Sequence, residues 1–76
     1  MTVIRVHWGK MPLFFNFGCA AYIQEFLEFL NSHGWKNFQV LTNSCPIYTI
    51  DETAETIKTE MLARFWDWMH SQMRTD

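Results

Sequence analysis

Thr2-Val3-Ile4-Arg5-Val6-His7-Trp8-Gly9-Lys10 decides how the chain folds, because it alternates β-forming and polar residues and then stops on a glycine. Ile4, Val6 and Trp8 fall on one face of a half-buried strand, with Val3, Arg5 and His7 on the other. Gly9-Lys10 then reads as a two-residue hairpin turn of type II′, with glycine at its first central position. Met11 to Phe15 returns beside the first strand. Pro12 has no N–H to give a ladder, so this second strand belongs at an edge of the sheet.

Working outward, the period changes near Asn16. Cys19, Ile23, Phe26, Leu27 and Leu30 recur at helical spacing, while Gln24, Glu25, Glu28 and Asn31 take the opposite side. Asn16 is the expected N-cap. Gly34 is the expected left-handed residue after the helix, which puts Trp35 where it can pack back on Leu30. Phe38 to Thr42 and Pro46 to Ile50 are β-rich and flank the polar cluster Asn43-Ser44-Cys45, a second hairpin pattern. Asp51 caps a long final helix, with Glu52 and Glu55 at its positive end, Arg74 near its negative end, and Glu60 to Arg64 as an i,i+4 pair. Ala54, Ile57, Met61, Phe65 and Trp68 form one apolar stripe on it, and Leu62, Trp66, Met69 and Met73 a second. The expected architecture is α+β, a two-layer sandwich in the order ββαββα, with a mainly antiparallel four-stranded sheet and two helices on one face.

Seventy-six residues make a single domain, 1–76, and a chain this short buries only about 60% of the surface that its unfolded form exposes. Seven Phe, four Trp and two Tyr therefore compete for a small interior. Surplus rings on a small protein mark an interaction surface. A formal charge of -2 exerts no general pull on phosphate backbones. The start of the chain lacks the features of a secretory signal, and charged or amide side chains interrupt every apolar run, so a soluble cytoplasmic protein with no membrane partner is expected. In that setting Cys19 and Cys45 are expected as reduced thiols.

Enzyme chemistry finds little support. There is no glycine-rich phosphate loop, no paired-cysteine motif and no serine elbow, and no cofactor or metal is implied. His7, His33 and His70 belong to different elements, and Asp67 with His70 reads as surface hydrogen bonding rather than an acid-base pair. Cys19 is the best single candidate for a thiol-dependent enzyme, because a thiol at a helix start faces unpaired N–H groups and the positive dipole end. Its register with Ile23, Phe26 and Leu30 makes a small buried hydrophobe the stronger expectation.

Binding is the sharper expectation. Trp66, Trp68, Met69 and Met73 span more of the last helix than one packed face needs, so they are the candidate partner-binding residues. Arg5, His7, Phe14 and Tyr48, with Gln39 and Leu41, would share the open sheet face. That mixture resembles a platform for single-stranded nucleic acid, but six basic against eight acidic residues argue against a continuous positive groove. The expected function is a non-enzymatic module that binds a protein partner, a host or cognate complex, as an inhibitor or regulator. Regulatory subunits, antitoxin-like neutralisers and virus-encoded inhibitors of host defence systems share this profile. The apolar end of the last helix and the uncovered sheet also suggest a homodimer.

Overall fold

The computed structural model describes residues 1–73, in the order β1 (Thr2–Trp8), β2 (Met11–Phe17), α1 (Ala20–Ser32), β3 (Phe38–Leu41) and α2 (Glu52–Met73). The architecture is α+β, with one three-stranded antiparallel sheet ordered β2-β1-β3. Trp8 pairs with Met11 across the two-residue turn, and φ is positive at Gly9 (62°) but not at Lys10, as a type II′ turn requires.

The strand alternation sorts the sheet into two faces. Ile4 stands between Phe15 and Val40, and Val6 between Leu13 and Phe38. Ile4, Val6, Leu13 and Phe15 form the floor of a core that both helices close, α1 with Phe26, Phe29 and Leu30, and α2 with Ala54, Met61, Phe65 and Met69. Phe26 is its centre. That ring meets Phe15 at 4.8 Å, Phe17 at 5.1 Å and Phe65 edge-on at 5.0 Å. Each fully buried side chain of this size contributes about 1.5–3 kcal/mol of transfer free energy, so the cluster is the main source of stability.

Both helix boundaries follow from local chemistry. α1 ends in a Schellman motif, with Trp35 N–H donating to the Leu30 carbonyl (2.9 Å) and Gly34 N–H to that of Asn31 (3.1 Å), while Gly34 takes a φ of +76°. His33 adds a bond from its ring Nδ1 to the Phe29 carbonyl (3.0 Å). α2 starts on Asp51, whose Oδ1 accepts from Ala54 N–H at 3.0 Å. Among the described residues Glu60 and Arg64 form no ion pair, whereas Lys58 and Glu55 do (3.6 Å); Arg74 lies outside them.

Three expectations are corrected. Asn16 does not cap α1, because β2 runs on to Phe17 so that Phe15 and Phe17 both reach Phe26, and the N-cap position falls to Cys19. Cys19 is exposed rather than buried, since the helix turns inward only from Ile23 onward. Pro46 to Ile50 is no fourth strand. Asn16 instead clamps this segment from the side: its Nδ2 donates to the Ile47 carbonyl and its Oδ1 accepts from Ile47 N–H, both at 3.0 Å. Those bonds occupy the Ile47 groups that a neighbouring strand would need, and Pro46 offers no donor at all.

The segment 42–51 is therefore a strap. It leaves β3 through Asn43 (φ 53°), is tied to the first residue by Ser44 N–H on the Met1 carbonyl (2.9 Å), reaches β2 at Asn16 and delivers the chain to α2. Val3 stands next to the strap's anchor, since Asn16 is its partner in β2. It lies on the sheet face away from the helices, outside the main core, between Asn16 and Leu41, yet it is 0% exposed.

Candidate functional site

The expected surface stripe on α2 divides once the chain is folded. Met69 is 7% exposed and belongs to the core, and Trp68 is half-buried with its ring 5.9 Å from Phe29, so neither presents a free anchor. Helical geometry is the reason: Phe65, Trp68 and Met69 share the i, i+3, i+4 face that meets α1. Trp66 points away from that face and is 47% exposed. The side chain of Met73 lies outside the described residues.

Trp66 does not stand alone. Tyr22, an exposed residue of the first turn of α1, meets it edge-on at 5.9 Å, and the His70 ring lies 6.2 Å from it. Sequence spacing could show that Trp66 left the core face of α2 but not that α1 would supply Tyr22 beside it. Two hollows open on either side of Tyr22. One, of about 290 Å³, is walled by Phe17, Leu62, Phe65 and Trp66; the other, of about 450 Å³, by Ala21, Glu25, Met69 and Gln72. Cys19 and Tyr22 border both, so the two make one groove across the joint between α1 and α2.

Charge is distributed unevenly over the described residues. The helices α1 and α2 carry six carboxylates (Glu25, Glu28, Glu52, Glu55, Glu60 and Asp67) against two basic side chains, Lys58 and Arg64. Elsewhere among the described residues the balance reverses, with Arg5, Lys10 and Lys36 against Asp51. The helix layer is the acidic side of the molecule. Among the described residues neither hollow has a lysine, arginine or histidine in its wall, and Glu25 stands in one of them.

The open sheet face is less complete than expected. Arg5, His7 and Phe14 do lie on the face away from the helices, Arg5 directly between Phe14 and Gln39. Its guanidinium is engaged: Nε donates to Gln39 Oε1 at 2.6 Å, and Nη2 bonds the same oxygen. Tyr48 is absent from this face. It sits on the strap, 78% exposed, at the β2 edge beside Met1, Lys58 and Leu62. Without a fourth strand nothing carries it onto the platform.

Cys19 and Cys45 are both exposed and free. Cys19 starts α1 without a side-chain capping bond, and no histidine or carboxylate forms a hydrogen bond with it among the described residues. His7, His33 and His70 lie on the sheet, at the end of α1 and on α2, and among the described residues no three His, Cys, Asp or Glu side chains come together. No described helix is long and apolar enough to cross a membrane. Comparison with protein-family models, with curated proteins and with solved structures gives no match.

Proposed function

We propose that this chain is a non-enzymatic binding module that inhibits or regulates a larger protein complex by docking the groove around Tyr22 and Trp66 onto it. The observation that carries the reading is Trp66 itself, held at an aromatic joint with 47% of its surface exposed while its neighbours Phe65 and Met69 are buried. Tryptophan and tyrosine beside an apolar hollow are the residues that anchor protein interfaces. A virus-encoded inhibitor of a host defence system is one profile of this kind. The reading is tested by pull-down from native host lysate with the wild type and Trp66→Ala. Retention of a partner by the wild type and its loss from a variant with unchanged melting supports the proposal; equal retention by both removes Trp66 from the interface.

Self-association has a separate observation in its favour, at the outer edge of β3. His7 N–H donates to the Asn37 carbonyl at 3.0 Å, so in this antiparallel ladder Gln39 also turns its backbone groups to β1, and those of Phe38 and Val40 turn outward. Val40 is 41% exposed on the helix side of that edge. A second copy adding its β3 here would extend the sheet. Sedimentation at rising concentration decides: a dimer weakened by Val40→Pro supports the edge, and a monomer throughout eliminates it.

A further inference from the structure

We infer that the groove across α1 and α2 takes a basic segment of the partner, with an arginine or lysine on Tyr22 and Glu25 and an adjacent apolar side chain in the hollow under Trp66. This rests on the protein-docking reading above and adds the partner's chemistry. Charge and wall composition argue for it together. Glu25 lies three residues, one helical turn, along from Tyr22 and stands with it in the same hollow, so a cation lying on the ring also meets the carboxylate. Among the described residues no basic side chain in either hollow competes for that carboxylate. The helix layer as a whole, with six carboxylates against two basic groups among the described residues, favours approach of a positive segment over an acidic one. The neighbouring hollow has the opposite character. Phe17, Leu62, Phe65 and Trp66 offer it no charge, so it accepts a leucine, phenylalanine or tryptophan side chain. An arginine suits the joint better than a lysine, because its planar guanidinium stacks on a ring while its N–H groups reach a carboxylate.

The test is selection of a displayed library of random twelve-residue peptides on the wild type, followed by affinity measurement on Glu25→Lys and Trp66→Ala, each first shown to melt as the wild type does. The expected peptides carry Arg or Lys beside Leu, Phe or Trp, lose binding to Trp66→Ala, and bind Glu25→Lys at least tenfold more weakly. Replacing their basic residue by Glu should restore part of the affinity for Glu25→Lys and abolish it for the wild type. Peptides that need Trp66 but show no basic preference, or that tolerate Glu25→Lys, overturn the cationic anchor and leave the docking reading standing. A selection in which no peptide depends on Trp66 overturns both.

Discussion

One face of the sheet is closed along its length, the other only at one end, and by different means. On one, two helices lay Phe26, Phe29, Leu30, Met61, Phe65 and Met69 over Ile4, Val6, Leu13 and Phe15, a continuous apolar layer in which many contacts share the load. On the other, Val3 is sealed at one end of the sheet beside an irregular strap that a single carboxamide holds at Ile47. A face closed by area fails only with the whole fold. One closed by directed hydrogen bonds can open by itself. Substitutions on the two sides should therefore differ in kind as well as in size.

The largest effect is expected for Phe26→Ala. It removes a ring that meets Phe15, Phe17, Phe29 and Phe65, and large-to-small changes at such sites cost about 3–5 kcal/mol. In a chain of 76 residues that is a large share of the total, so denaturant titration should show a molecule unfolded or nearly so at room temperature. Asn16→Ala should cost about 1–3 kcal/mol, because the N–H and carbonyl of Ile47 lose their partner in a partly buried place. Its signature is local. Hydrogen exchange should accelerate at Ile47 while the amides of β1 and α1 keep their protection, and uniform acceleration would mean that the strap is part of the cooperative core.

Which of these closures could be read beforehand follows the same division. The helix face is written in periodicity: Ile4 and Val6 at period two, then Phe26 and Leu30, and Ala54, Met61 and Phe65 at helical spacing, all of which the fold buries. Gly34 and Asp51 were equally legible, since a left-handed C′ residue and a carboxylate cap act within a few residues of themselves. The strap was not. Pro46 to Ile50 has β composition, and the link from Asn16 that occupies the Ile47 backbone groups lies thirty-one residues away. A polar residue two positions before a glycine looks like a helix cap, and nothing nearby shows that its amide is committed elsewhere. The groove divides likewise. Trp66 could be suspected from α2 alone, whereas Tyr22 and Glu25 joined it only when α1 was laid alongside, and Met69 left the surface for the same reason.

The junction between strap and helix lies between these extremes. Asp51 Oδ1 accepts from Ala54 N–H, and Asp51 N–H in turn donates to Thr49 Oγ1 at 3.2 Å. Loss of an N-cap of this kind costs about 1 kcal/mol, which Asp51→Ala should show as a lowered denaturation midpoint. Asp51→Ser should recover most of it, since a serine hydroxyl accepts the same bond. Failure of serine to rescue would assign the loss to the strap rather than to the cap.

Tyr48→Ala carries the smallest expected change and separates the strap from the strand that composition suggests. Tyr48 is 78% exposed and makes no hydrogen bond through its hydroxyl among the described residues, so its truncation should move stability by no more than about 0.5 kcal/mol. Were Pro46 to Ile50 paired as a fourth strand, the same ring would have cross-strand neighbours, and such pairs contribute up to about 1 kcal/mol each. A loss well above that limit in a denaturant titration would put Tyr48 in a sheet and dissolve the distinction between the two faces. A null result, beside a measurable loss for Asn16→Ala, places the hold on this segment in one amide rather than in its rings.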